Sequence, residues 1–416
     1  MEGCMTEIDE NCVIKQKVFL SRLTENTPLI SVVVPVFNTE NYVVETLQSI
    51  VSSFNDDYEL IIVNDGSSDR SHDLILKWIS SNEFNVAYIL KENGGLGSAR
   101  NAGASIARGR YITFFDSDDY ACSYTYPIMV RLAESNSLDV IIARARRFSN
   151  LTMRSSKFGD HDIIDSILGG SHFKVTNATR EGRLFRVEPS AVIRLYNKEF
   201  FDQNVEKFPE GVHFEDVSPH AASIARASRV GLLNECLLVY RIDRAGQITA
   251  SKGATRFDIL YSVKQIAGSG YISELTTEGG ACLCGQLARL VHWCATECPK
   301  NKRSEFIDIF LDSIKTIPSS WWWIYKERYS ENITEAQFCE FSATQNAHAL
   351  KSLVGVNLED KYPSGLSAVE RIVFDQKSKI QIIKDVSMVP VRIFKRDMIS
   401  LVKVPTRKIK NMMVGR

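Results

Sequence analysis

Over the first third of the chain, short β-branched apolar runs alternate with amphipathic stretches. Residues 30–35 (ISVVVP) predict a buried strand, and residues 41–53 a helix with Val44, Leu47, Ile50 and Val51 on one face. Residues 58–63 predict a second strand running into Asn64-Asp65-Gly66, after which Ser68 or Asp69 caps a helix through Trp78 and Ile79. A third strand at 86–90 leads through a glycine-rich turn into a helix over 98–107. A fourth, 111–115 (YITFF), stops at Asp116-Ser117-Asp118-Asp119, and a fifth is expected at 139–143 after another helix. Four strand–helix units in about 110 residues imply an α/β fold with a mostly parallel sheet between two helical layers. Ligands of such sheets sit beyond the carboxyl ends of the strands.

The alternation then breaks. A variable stretch, the run 191–196, a carboxylate-bearing helix from about Glu215 and the run 229–240 fill the region to about 250, and long amphipathic helical segments follow. The expected organisation is an N-terminal extension (1–27), a nucleotide-binding α/β domain (28–255), a helical domain (256–376) and a basic tail (377–416). The 416 residues carry fifty Lys and Arg against fifty Asp and Glu, with 44% hydrophobic and 24% charged residues. This composition excludes wholesale disorder, and the neutral total argues against a nucleic-acid binder. The neutrality is a balance of opposites: the tail holds eleven Lys and Arg against Asp385 and Asp397, a net +9. Two readings of the tail stand: a solvated terminus, or attachment to an anionic membrane surface. The acidic start without an apolar core, the nine scattered cysteines and the absence of an apolar run of about 18–20 residues predict a cytoplasmic protein, peripheral at most.

Acidic residues gather where strands end: Asp65, then Asp116, Asp118 and Asp119, and later Glu215-Asp216 at a helix start. A single such Asp can simply cap a helix. Three carboxylates within four residues repel one another, an arrangement that a hard divalent cation relieves, so Asp116-Ser117-Asp118 reads as a metal–diphosphate site. The turn from Asn93 to Arg100 offers the first two glycines of a dinucleotide fingerprint, Gly95 and Gly97, but Arg100 stands where the third is needed. A helix start with an arginine still suits phosphate. Cys282, Cys284, Cys294 and Cys298 with His292 have a metal-like spacing within what reads as an amphipathic helix. Trp321-Trp322-Trp323 reads as packing between helices, with an acceptor-sugar platform or an interfacial anchor as the alternatives.

In this order, Pro35-Val36-Phe37-Asn38 with Glu40, Val63 to Asp69, Asn93 with Ala99-Arg100-Asn101, and Phe115 to Asp119 resemble the signature of glycosyltransferase family 2, inverting enzymes of the GT-A fold. Phe214-Glu215-Asp216 looks like that family's catalytic pair, and Tyr240-Arg241 with Arg244, Gly246 and Ile248-Thr249 like its closing element; the resemblance spans about 29–251. It implies a nucleotide-sugar donor, a UDP-sugar by preference, and a glycan or lipid-linked acceptor in surface-polysaccharide synthesis at the cytoplasmic face of the inner membrane. Val36, Phe37, Asn38, Glu40, Asp65, Asn93, Arg100, Asp116 and Ser117 would hold the nucleotide-sugar, and Asp118 with Asp116 would bind Mn²⁺ or Mg²⁺. Asp216 would be the general base, with Glu215 as the alternative, and Arg241 and Arg244 would face the diphosphate. The chain departs from the pattern at the run 191–196, at His220 where an aromatic is common, at Gln247, and at Arg244, where some relatives place a metal-binding histidine. His213 and His220 flank the pair and read as structural or substrate-contacting. The rivals are a degenerate scaffold and a sugar nucleotidyltransferase. The retained carboxylates argue against the first, and the lack of an early basic glycine-rich loop against the second.

Overall fold

The computed structural model describes residues 17–21, 27–54, 57–81, 85–244, 253–330 and 332–356. The basic tail and residues Gly246, Gln247, Ile248 and Thr249 lie outside the described residues. Chain order gives β1 (Lys17–Ser21), β2 (Ile30–Val36), α1 (Val43–Val51), β3 (Tyr58–Asn64), α2 (Ser71–Ser80), β4 (Val86–Leu90), α3 (Leu96–Ile106), β5 (Tyr111–Phe114) and β6 (Tyr120–Ala121). Then come α4 (Thr125–Asn136), β7 (Val140–Ser149), β8 (Arg154–Lys157), α5 (His161–Leu168), β9 (Phe173–Thr176), β10 (Arg194–Asn197), α6 (Lys198–Asn204), α7 (Val217–Arg226) and β11 (Val230–Ile242). Six helices follow: α8 (Ile259–Gly268), α9 (Thr277–Glu297), α10 (Arg303–Ser313), α11 (Ser319–Arg328), α12 (Ile333–Ala343) and α13 (Ala347–Leu353).

The strands form one sheet in the order β1-β4-β3-β2-β5-β10-β7-β11-β6, with β8 and β9 as outriggers on β7 and β11. Its centre is parallel: Val33 of β2 lies opposite Ile61 of β3 and Phe114 of β5. Strand β10 enters antiparallel between β5 and β7, and β11 runs parallel to β7. Val32, Val33, Val34, Leu60, Ile61, Ile62 and Val63 are fully buried, which is why these strands read as unbroken apolar runs. Each such side chain contributes about 1.5–3 kcal/mol relative to exposure. All four central strands end on one edge, so 37–40, 65–69, 91–95 and 115–119 converge there.

Several local expectations shift. Val43, not Val44, joins Leu47, Ile50 and Val51 on the buried face of α1, and Val44 points outward. Helix α2 starts one turn after Ser68; Asp69 serves it by accepting from the Ser71 N–H at 2.9 Å. Strand β7 continues past Ala143 to Ser149 because β11 pairs along its whole length, down to Ile242 opposite Ser149. The run 191–196 splits into a single 3-10 turn over 191–193 and strand β10.

The chain divides after Val356, and the part up to there is one compact unit. Within it α9 is the axis of the helical segment. A Cβ on Gly280 would sit 2.2 Å from the Trp321 ring and one on Gly285 2.0 Å from the Tyr325 ring, so these glycines let α11 press directly on α9. Trp321 and Trp322 are buried in that contact, Trp322 edge-on to Phe310. Cys282, Cys284, Cys294 and Cys298 are buried, and burial pushes the thiols of Cys282 and Cys294 up to about 12. Among the described residues no helix is long and apolar enough to cross a membrane.

Candidate active site

The loops at the strand edge are tied to one another before any ligand is considered. Asn38 adopts a left-handed conformation (φ 52°), which Asn tolerates, and its Oδ1 accepts from the Ser68 N–H at 2.9 Å. Glu40 accepts from the Arg70 backbone N–H and guanidinium, both at 3.0 Å. Asn38 and Glu40 therefore position the first two loops through each other, while Phe37 stands 48% exposed above the buried Val36. Buried Asp65 accepts from Lys91 Nζ at 2.5 Å and from the N–H groups of Gly94 and Gly95 at 3.0 and 2.8 Å. It moulds the glycine-rich turn, whose Gly95 has φ 86° and whose Asn93 accepts from the Gly95 N–H at 3.1 Å.

The acidic turn after β5 is partly structural. Ser117 Oγ accepts from Thr39 Oγ1 at 3.0 Å, and Asp119, fully buried, accepts from the Arg241 N–H at 3.0 Å. Burial drives the Asp119 carboxyl well above the ordinary range, with the Asp116 charge adding to the shift. Arg241 turns its guanidinium to Glu45 at 2.9 Å and over the Tyr42 ring. Asp116 and Asp118 face a cavity of about 500 Å³, which Arg100, Arg244, Glu215 and Asp216 also line. Arg100 is 2% exposed and clamps two carboxylates, Asp116 at 3.0 Å and Glu215 at 2.6 Å. Arg244 forms an ion pair with Asp118. Phe37, Asn38, Glu40, Asp65, Asn93 and Arg241 do not line this cavity.

Glu215 and Asp216 differ sharply. Glu215 is buried on Arg100, whereas the Asp216 side chain has no hydrogen-bond or ion-pair partner among the described residues. Burial first, and then the Glu215 charge, push the Asp216 carboxyl up to about 8. The pair follows Phe214, a non-glycine residue at φ 61°, a costly conformation that its surroundings must hold. The helical segment does so. Asp258 accepts from His213 N at 2.9 Å and contacts His213 Nδ1 at 3.0 Å, Ser262 donates to the Phe214 carbonyl at 2.9 Å, and Trp293 packs edge-on to the Phe214 ring. His220 is buried away from the cavity, accepting at Nδ1 from Arg194 at 2.8 Å and donating from Nε2 to the Phe185 carbonyl. Burial and the Arg194 charge depress it well below the usual histidine range. It is a core histidine.

The sequence pattern did not point to Arg147, Glu188, Arg256, Arg289 or Trp293, all of which line the same cavity. Only Arg289, a lone cation between the apolar residues of α9, carries a visible signal. As a metal site the acidic turn offers two cavity-facing carboxylates, and no group of three or more ligating side chains occurs among the described residues. That donor set fits a hard cation completed by substrate phosphates, with Arg244 as the resident competitor on Asp118.

Residues 31–200 match the model of glycosyl transferase family 2. They form a family 2 glycosyl transferase domain. Glycosyltransferase EpsJ of Bacillus subtilis is 32% identical over 215 residues, which cover 51% of this chain and 61% of that protein. The minor teichoic acid biosynthesis protein GgaB of Bacillus subtilis is 35% identical over 222 residues, covering 52% of this chain but 23% of its own length. The chain therefore spans less than two thirds of either relative. S. aureus TarS 1–349, solved in complex with UDP-GlcNAc, superposes with a TM-score of 0.64 over 78% of this chain and 90% of that one. At 18% identity this is a likeness of fold, and it extends beyond the family 2 domain. The fold is GT-A, with mostly helical structure after it.

Proposed function

We propose that this protein transfers a sugar, with inversion, from a nucleotide-sugar to a hydroxyl of a glycan or lipid-linked acceptor in surface-polysaccharide synthesis. The observation that carries the reading is the unpartnered Asp216 carboxylate, facing the cavity that Asp116, Asp118 and Arg244 also line. The likeness to a fold solved with UDP-GlcNAc supports a UDP-sugar donor. Exposed Phe37 is suited to edge the base, with the Asn38, Glu40, Asp65 and Asn93 loops framing the nucleoside.

In this reading the acceptor oxygen bonds to C1 of the sugar while the bond from C1 to the diphosphate oxygen breaks on the opposite face. The acceptor proton passes to Asp216, whose raised pKa suits it to take a hydroxyl proton; such assistance is worth about 10²–10⁴-fold. Glu215 is committed to Arg100, which leaves Asp216 the better base. Asp116 and Asp118 would hold Mn²⁺ or Mg²⁺, which when bound supplies positive charge to the departing diphosphate. Arg244 can supply the same charge from the protein, each close contact being worth about 4 kcal/mol at an effective dielectric near 20.

Release of nucleoside diphosphate from a panel of sugar nucleotides with Mn²⁺ tests the reading. Asp216→Asn and Asp118→Ala are expected to lower turnover by about 10²-fold or more, with the circular dichroism spectrum at pH 6 unchanged. Undiminished turnover by Asp216→Asn would move the base to Glu215. Retention at the anomeric carbon, read by NMR of the product, would overturn inversion.

A further inference from the structure

Strand β6, two residues long, pairs with β11 through Ala121 opposite Leu238 and Tyr120 opposite Val239. Just beyond it, Cys122 donates its backbone N–H to the Leu237 carbonyl at 2.8 Å. Cys236 precedes that residue at an irregularity of β11. Arg144 and Ala145 are consecutive on β7, but their partners are Cys236 and Leu238, so Leu237 is the extra residue of a β-bulge. Bulges re-aim side chains. Here Cys236 Sγ lies 3.3 Å from Cys122 Sγ, although 114 positions separate the two in sequence. Thr125 Oγ1, at the start of α4, donates to the Cys236 carbonyl at 2.7 Å and fixes the same spot. The pair differs from the other described cysteines. Cys282, Cys284, Cys294, Cys298 and Cys339 are buried, whereas Cys122 and Cys236 are each partly exposed. The Cys122 S–H donates to Cys236 Sγ, and this hydrogen bond, aided by the Arg146 charge, holds the Cys236 thiol below its ordinary range. The same hydrogen bond pushes Cys122 up. An accessible sulfur with thiolate character thus sits beside a second thiol.

We propose that Cys122 and Cys236 are a site of reversible oxidation, forming a disulfide that fastens the acidic turn to β11. The oxidant is of the peroxide class. The Cys236 thiolate attacks one peroxide oxygen, the O–O bond breaks, and the leaving hydroxide takes a proton to become water. Cys122 sulfur then attacks the sulfenic sulfur of Cys236. The S–O bond breaks, and the departing hydroxide takes the Cys122 proton as a second water. Two thiols lose two electrons in all, and one peroxide gains them. The sulfurs need only close from 3.3 Å to about 2.05 Å, between backbones that are already hydrogen-bonded. The consequence follows from what lies on either side of the link. Asp119, three residues before Cys122, accepts from the Arg241 N–H of β11, and Asp118 pairs with Arg244 just past the end of that strand. A two-residue strand opens readily. With the disulfide in place that opening is lost, and the turn Asp116-Ser117-Asp118-Asp119 moves with β11.

The test uses the full chain, reduced, exposed to hydrogen peroxide and digested with trypsin without reductant. Peptides 111–131 and 230–241 are expected as one linked species that dithiothreitol separates. Oxidation should raise the melting temperature by about 3 °C or more, because the bond closes a long loop and constrains the unfolded chain. It should also slow amide exchange over 117–121 and 237–241 by about tenfold or more, as local opening is suppressed. Cys122→Ser and Cys236→Ser should each lose both responses. The peptide map needs no variant, so it decides the matter even if one of them fails to fold. A link to any other cysteine, prior oxidation of the buried cysteines, or Cys236 carried to sulfinic acid with Cys122 still a thiol overturns the proposal. So does a linked chain whose melting temperature and exchange match those of the reduced chain. None of these readouts requires donor, metal or acceptor, so they are independent of the glycosyltransferase reading.

Discussion

Asp216 and Glu215 are neighbours in the chain but lie in different electrostatic surroundings. Arg100 compensates Glu215, while Asp216 is partly buried with no cation of its own. Its carboxyl shifts from 3.8 to about 8, so the fold favours the protonated form. The stability this group contributes is fully present below about pH 3.8 and is lost as pH rises through about 8. Asp216→Asn, a neutral isostere, escapes the loss. The melting temperature of the variant minus that of wild type should therefore grow from pH 5 to pH 8 and then level off. The underlying slope is at most about 1.4 kcal/mol per pH unit. A difference independent of pH would refute the raised pKa. A second expectation concerns Arg244, whose guanidinium competes with any cation for Asp118. Arg244→Ala should tighten Mn²⁺ binding on the order of tenfold, the equivalent of about 1.4 kcal/mol. Isothermal titration in the absence of nucleotide reads it directly, and weaker binding would show Arg244 helping rather than opposing the metal.

At the scale of elements, α9 connects the helical segment to the site. It presses Gly280 and Gly285 against α11 on one side and offers Arg289, Leu290 and Trp293 to the cavity on another. Gly to Ala inside a helix normally stabilises by about 1 kcal/mol. At Gly285 the added methyl would meet the Tyr325 ring at 2.0 Å, and that ring is fixed by its hydroxyl donating to Glu335 at 2.7 Å and by Arg186 stacked over it. Gly285→Ala is therefore expected to destabilise by about 1–3 kcal/mol, seen as a lower urea midpoint with unchanged slope. A stabilised variant would mean that α11 moves freely. The same element marks what was legible in the sequence. Strands β2 to β5 are buried on both faces, so their apolar runs and terminal carboxylates could be read directly, and Asp116, Asp118, Glu215 and Asp216 do meet in one cavity. The split of 191–196 was not legible, because a buried 3-10 turn and a buried strand share the same apolar composition. Nor was the part of the cavity wall formed by Arg147, Arg289 and Trp293. Arg147 lies in the part of β7 whose strand character comes from pairing with β11, and Arg289 and Trp293 reach Glu188 and Phe214 only through packing between positions 101 and 79 apart in sequence. Periodicity tells which side of a helix is buried, not which surface it meets.

For the whole molecule, the compact unit ending at Val356 contains the cavity, the Glu215-Asp216 pair and the supports of the strained Phe214. Residues 377–416, outside the described residues, carry a net charge of +9. If those cations serve as an electrostatic anchor, stability and membrane attachment should separate cleanly. A chain ended at Val356 is expected to keep its melting temperature within about 2 °C, a change of under about 1 kcal/mol for a protein of this size. It should also keep its turnover on a water-soluble acceptor. What it should lose is sedimentation with vesicles rich in anionic lipid, since each basic residue near such a surface contributes about 1 kcal/mol. For the full chain, that sedimentation should fall steeply between about 0.1 and 1 M salt, as the screening length drops from about 10 to 3 Å. Equal, salt-insensitive pelleting of the two forms would remove the tail as an anchor and leave the bulk of the fold to account for any membrane contact.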